Sequence, residues 1–303
     1  MNYKFSGHET FAFRYAWLPK AYQAVKFDDK IFSDEDRAMV ELGVGKNMVR
    51  SIRFWATLLG IIEPDGENSL QVTPFSTMLL DPDRGLDPYL EDIQTLWLLH
   101  WRLSAAAEPL YVWHYLLNRW QESEMAGAVI VPMIRRELGE EHKLSANSLD
   151  SLVKVFFHTY VPTRGHKNKV VEDNLDCPLV QLRLIEYGGE RDLSSGRKEP
   201  IYAFRRGEKP EISQALFLYC LNDYWRKTSP DETTLSFSQI TSSEGSPGQV
   251  FKLTDDDIQA RLAGLTDDSE YFVFTDSSTS RSLKRKFTDF EQISGKLLKR
   301  IYK

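Results

Sequence analysis

Apolar residues recur at helical spacing along most of the chain, and at the two-residue spacing of strands in only a few short places. In "FRYAWLPKAYQAV", Phe13, Trp17, Ala21 and Val25 fall on one face of a predicted helix. Ser33, ahead of Asp34, Glu35 and Asp36, predicts an N-cap with acidic residues in the first turn of a helix that runs to Leu42 and stops at Gly43. A second helix starts near Lys46 and ends at Gly60. The stretch "IIEPDGENSLQVTPF" then predicts two short strands about a tight turn, with Pro64, Asp65 and Gly66 opening the reversal.

Residues 86 to about 160 read as almost wholly helical, with Pro88, Pro109 and Pro132 as punctuation. A polar loop over 162–176 follows, then a strand in "PIYAFRRG" and a buried helix in "EISQALFLYCLNDYW". From about Pro230 the character changes to short strands ("EYFVFTD"), a helix capped by Thr254 with Asp257 three residues on, and a basic tail. The expected fold is mainly α: an N-terminal winged helix-turn-helix over 1–88, a helical domain over 89–229, and a small α+β part with the basic tail over 230–303.

Composition narrows this picture. An apolar fraction of 42% in 303 residues is ample for a buried core. Cys177 and Cys220, the only two cysteines, lie far apart, which argues against a disulfide framework or a thiolate zinc site. The most apolar region is interrupted by His100, Arg102, Glu108, His114 and Arg119, so no membrane span is expected. The first residues lack the apolar core of a signal peptide, and the expectation is a soluble, cytoplasmic protein. A net charge of −6 does not suggest a nucleic-acid binder by itself, but binding depends on where cations cluster.

One cluster lies in "LGVGKNMVRSIRFW", residues 42–55. A phosphate loop needs a glycine where Val40 stands, a hydroxyl where Asn47 follows Lys46, and a preceding strand where a capped helix is expected. All three requirements fail. A helix-turn-helix fits better: Ala38, Leu42, Val44, Val49, Ile52 and Trp55 would lock the corner, and Gly43 would make the turn. Lys46, Asn47, Arg50 and Arg53 are left facing outward on the second helix. In this motif that face enters the major groove of duplex DNA, where arginine and asparagine read base edges and lysine meets phosphate. A merely solvated basic face is the alternative.

Candidate chemistry is thinner. His8, Glu9 and Arg14 in "GHETFAFR" could serve as base, metal ligand and phosphate clamp, but with no nuclease spacing beside them they read first as residues that cap or hydrogen-bond the first helix, with Arg14 in a structural ion pair. The acid runs Asp28–Asp36 and Asp255–Asp257 read as helix starts before they read as metal sites. Arg281, Lys284, Arg285 and Lys286 form a positive C-terminal segment suited to phosphate, and Arg164, His166, Lys167 and Lys169 form a smaller basic loop.

"FSGHETFAFRYAWLPK" followed by "LGVGKNMVRSIRFW" resembles the SspB-like family of bacterial DNA phosphorothioation (Ssp-type) phage-defence clusters, strongest over residues 5–60, with a weaker echo in "SPGQVFKL". Members lie beside proteins similar to phosphoadenosine-phosphosulfate (PAPS) reductases. The resemblance implies double-stranded DNA as ligand, strand nicking with a divalent metal (Mg or Mn), and partners among the PAPS-reductase-like and other phosphorothioation proteins. It leaves a homodimer open, and it assigns no catalytic residue. The alternative of another class is a non-catalytic DNA-binding adaptor that recruits sulfur-transfer enzymes.

Overall fold

Acidic residues ahead of apolar-periodic runs, and glycines behind them, set the helix boundaries in the computed structural model, which describes residues 2–139, 144–162, 177–193, 196, 198–265, 270–277 and 280–303. The basic loop of Arg164, His166, Lys167 and Lys169 lies outside the described residues. The chain is mainly helical with small antiparallel sheets, and it divides into two compact units.

The first unit comprises Met1–Tyr115 and Glu122–Phe204. Its N-terminal part holds α1 (Trp17–Phe27), α2 (Glu35–Leu42), α3 (Lys46–Leu58), the antiparallel pair β1 (Ile62–Pro64) and β2 (Leu70–Val72), and α4 (Pro74–Leu80). Helix α1 packs on α3 and α4, and α2 packs on α3. Further along come α5 (Ile93–Ser104), the single turn α6 (Tyr111–His114), α7 (Gly127–Leu138) and α8 (Ala146–Tyr160). The hairpin of β3 (Ile185–Asp192) and β4 (Lys198–Phe204) follows, with a bulge between Tyr187 and Gly189. A chain of ring contacts ties α3 into this core: Trp55 to Trp113 at 6.0 Å, Trp113 to Phe156 at 5.3 Å, Phe156 to Tyr160 at 5.3 Å. Trp55 is wholly buried.

The second unit, Leu116–Gln121 with Arg205–Lys303, is built on α9 (Gln214–Thr228). It continues through β5 (Thr234–Ser236), α10 (Phe237–Thr241), α11 (Pro247–Phe251), α12 (Asp255–Ala263), β6 (Phe272–Asp276), β7 (Arg281–Arg285) and α13 (Phe290–Ile301). Its sheet runs β5-β7-β6, antiparallel throughout, and α13 lies along α9. Two lysines are buried here and satisfied by backbone carbonyls: Lys209 donates to Arg205 O at 2.9 Å, and Lys252 to Leu117 O. The "SPGQVFKL" stretch is α11 with its Ser246 cap and that lysine.

The structure departs from the sequence expectations in local ways. The N-cap of α2 is Asp34, whose carboxylate accepts from the Arg37 amide at 3.1 Å, while the Ser33 hydroxyl donates to Lys30 O. Phe13 precedes α1 rather than opening it, yet it is fully buried. Pro132 lies inside α7, where burial of Ile130 and Ile134 in a helix packed on α8 outweighs one missing backbone bond. Strand β3, a glycine-containing polar stretch, carries no strand signal of its own and is held by its partner β4.

Candidate nucleic-acid interface

The corner between α2 and α3 forms because each residue in it meets a backbone demand. Gly43 adopts φ +65°, the left-handed conformation that ends α2. Lys20 of α1 donates to Leu42 O at 2.9 Å, placing a cation on the C-terminal end of α2. Helix α3 then begins behind Gly45, a cap with no side chain, so no capping side chain covers the amides of its first turn. Val49, Ser51, Ile52, Trp55 and Ala56 form the buried face of α3. Lys46, Asn47, Arg50 and Arg53 are all exposed, brought to one side by their spacing of three and four residues.

Two of these cations are already engaged. Glu35, in the first turn of α2, receives Lys46 Nζ at 2.7 Å and Arg50 Nε at 2.6 Å, with Arg50 Nη2 at 3.3 Å. Hydrogen bonds from Arg50 and then Lys46 hold the Glu35 carboxyl down at about 2. Asn47 and Arg53 make no ion pair or side-chain hydrogen bond among the described residues, and Arg53 stands open to solvent.

The N-terminal segment crosses this helix. Lys4 bridges to Leu110, exchanging bonds of 3.0 Å with Pro109 O and the Tyr111 amide, and its ammonium meets Glu108 at 2.7 Å. A sharp turn follows, with φ +113° at Gly7, +47° at Glu9 and +66° at Thr10. A Cβ on Gly7 would fall 2.4 Å from the Phe54 ring, so only glycine lets the turn approach α3 this closely.

His8 is the pin of that turn. It is 4% exposed and stacks on Trp55 at 6.1 Å, and its carbonyl accepts from the buried Ser51 hydroxyl at 3.1 Å. Burial pushes its pKa down to about 4. Its Nδ1 accepts the Thr10 amide at 3.2 Å, which leaves the proton on Nε2, where no partner faces it among the described residues. Neither nitrogen of this neutral ring offers a free lone pair to a substrate. Glu9 is half-exposed and adds its field to that of Glu35 at Arg50. Arg14 lies over the Trp17 ring at 5.5 Å. The turn thus brings His8 and Glu9 against α3.

Beside the C-terminal half of α3 runs an open groove of about 290 Å³, lined by Lys4, Arg50, Arg53, Phe54, Thr57 and Leu58. Among the described residues, no group of three His, Cys, Asp or Glu side chains is placed to hold a metal ion. The described side chains therefore do not by themselves form a metal cage.

The C-terminal cations sort differently. Arg281 and Arg285 point inward from β7, the central strand of its sheet. Arg285 is 9% exposed and donates to Glu232 O, Pro230 O and Phe287 O. Arg281 lies 3.7 Å over the Phe237 ring and pairs with Asp276 at 3.5 Å. Lys284 and Lys286 are exposed. The residues that sequence reasoning passed over are Glu35, taken only as a helix-start acid, Phe54 on α3 itself, and Lys4, which reaches α3 through tertiary contact alone.

The chain belongs to the family described as protein of unknown function (DUF4007), whose model matches residues 5–302. Two solved structures resemble it over nearly its whole length. The magnesium ion-bound SspB crystal structure is 28% identical, with a TM-score of 0.83, covering 98% of this chain and 87% of that one. A further SspB crystal structure gives 28% identity and a TM-score of 0.82 at the same coverage. The SspB-like resemblance of the two N-terminal motifs therefore extends through the chain. None of the curated proteins matches.

Proposed function

We propose that this protein is the DNA-binding, strand-nicking component of a bacterial DNA phosphorothioate modification and phage-defence system, acting with PAPS-reductase-like and other phosphorothioation proteins. The observation that carries the reading is the exposed Lys46–Asn47–Arg50–Arg53 side of α3 behind a glycine turn, in a chain similar to SspB. In this reading α2, α3 and the β1–β2 hairpin act as a winged helix-turn-helix. Asn47 meets a base edge, and Lys46, Arg50, Arg53 and the amides at the start of α3 meet phosphates. Lys284 and Lys286 supply further phosphate contact. Glu9, half-exposed and within the field of Arg50, is the carboxylate this reading assigns to the scissile strand.

A second reading, a non-catalytic DNA-binding adaptor, is favoured by two observations. The Nδ1 of the buried His8 is taken by the Thr10 amide, and no trio of metal-ligand side chains assembles among the described residues. Conversion of supercoiled plasmid to open circle decides between them, in Mg²⁺, Mn²⁺ or EDTA, with wild type beside Glu9→Ala and Lys46→Ala/Arg50→Ala/Arg53→Ala. Metal-dependent nicking lost in both variants supports the nickase. Plasmid binding without nicking, lost in the triple variant, establishes the adaptor instead.

A further inference from the structure

The groove along α3 has a composition unlike that of the helix's N-terminal end. Its floor is apolar, formed by Phe54, Thr57 and Leu58, and its rim carries three cations, Lys4, Arg50 and Arg53. A flat apolar body joined to an anion matches that lining; a duplex backbone, which is anionic and polar throughout, does not. At about 290 Å³ the groove falls just under the roughly 300–1,000 Å³ of sites that enclose drug-sized molecules, so its occupant is one small unit rather than a length of chain. The rim argues against an apolar peptide side chain, which would leave three cations unanswered.

The Phe54 ring is held in place before anything binds. His8 meets it edge-on at 6.0 Å and Trp55 at 5.5 Å, while the missing Cβ of Gly7 leaves the turn lying directly on the ring. An aromatic surface fixed beside cations is the arrangement on which unstacked bases lie in single-strand binders. Of the rim cations, Arg53 is already open to solvent, and the pairs Lys4–Glu108 and Arg50–Glu35 are exposed ones that a phosphate can replace at little cost.

We propose that this groove binds a single unstacked nucleotide of the DNA, its base against Phe54, Thr57 and Leu58 and its phosphate on Arg53 and Lys4. The proposal rests on the reading of α3 as a DNA-binding helix and adds that the protein recognises a locally opened strand.

Fluorescence anisotropy with the full chain tests it on three labelled duplexes: fully paired, with one unpaired thymidine, and with an abasic residue in place of that thymidine. Base stacking on an aromatic ring is worth about 1–3 kcal/mol, so the thymidine duplex should bind at least about fivefold tighter than the abasic one. Phe54→Leu, and Thr57→Trp, which fills the groove from an exposed position, should bring that ratio to about one. A ratio of one in wild type, or a preference kept in both variants, overturns the groove proposal. The underlying reading is tested separately by Lys46→Ala/Asn47→Ala, which lies outside the groove. If that variant binds paired duplex like wild type, the DNA-binding reading of α3 fails. If it binds weakly while wild type shows no thymidine preference, only the groove proposal fails.

Discussion

On the proposed DNA-binding reading, Glu35 occupies the place a phosphate would take. Its carboxylate bridges Lys46 and Arg50, and it is held at about 2 by hydrogen bonds from those two cations. With a depressed pKa, the pairing is complete above about 4.5 and is lost only as pH falls toward 2, so at neutral pH the competitor is always charged. In that reading, duplex DNA would have to displace it or accept its repulsion. Glu35→Gln keeps the shape and removes the charge, and should tighten duplex binding about fivefold at low salt, with the gain fading as salt screens it. Weaker binding in a titration at 50 and 300 mM salt would instead make Glu35 the group that aims Arg50. His8 gives a prediction of a different kind. Its folded-state pKa of about 4 lies below the ordinary 6.5, so between those values the unfolded chain binds more protons. Stability should be full above about 6.5 and decline as pH falls toward 4, by ~3 kcal/mol at most. His8→Asn keeps an acceptor for the Thr10 amide but cannot titrate. The fall in urea midpoint between pH 7.5 and 4.5 should therefore be smaller in this variant, and an equal fall would remove His8 as its source.

At the scale of elements, what the sequence made legible is what is coded locally. The 46–58 helix, its glycine stop upstream and its outward cations follow from spacing alone, because buried Val49, Ile52 and Trp55 leave those residues one direction to face. The Thr254 cap with Asp257, and the hairpin after Gly60, are local in the same sense. What failed depended on distant partners. Asp34 rather than Ser33 caps α2 because the serine hydroxyl is taken by Lys30 O, a choice between two good caps that composition cannot make. The segment from Arg281 to Arg285 reads as a basic tail because charged residues hold its inward positions. It is the middle strand of a sheet, with Arg285 neutralised by backbone carbonyls contributed from Pro230 and Glu232. The candidate site divides likewise: three cations and Asn47 were visible along α3, whereas Glu35 and Lys4 join them only once the corner and the N-terminal turn have folded.

For the whole molecule, charge sets the terms of binding. The chain carries −6, so beyond a Debye length of about 8 Å at physiological salt it offers duplex DNA no attraction, and affinity must come from contacts made at short range. A basic protein would add steering and many diffuse contacts, giving a steep salt dependence. In the proposed complex the contacts on α3 would be those of Lys46, Arg50 and Arg53, and each phosphate neutralised contributes a slope of about −0.9 in log K against log salt. Three give about −2.7, and Lys284 and Lys286, if they touch the same duplex, bring the total to about −4.5. The slope therefore counts the contacts, whatever the affinity. Measured on a paired duplex, Lys46→Ala/Arg50→Ala/Arg53→Ala should lower its magnitude by about 2.7, and Lys284→Ala/Lys286→Ala by up to about 1.8. A slope unchanged in the first variant would place the DNA elsewhere on the protein. A slope unchanged in the second would confine binding to the N-terminal helix, because an exposed lysine that meets no phosphate releases no counterion.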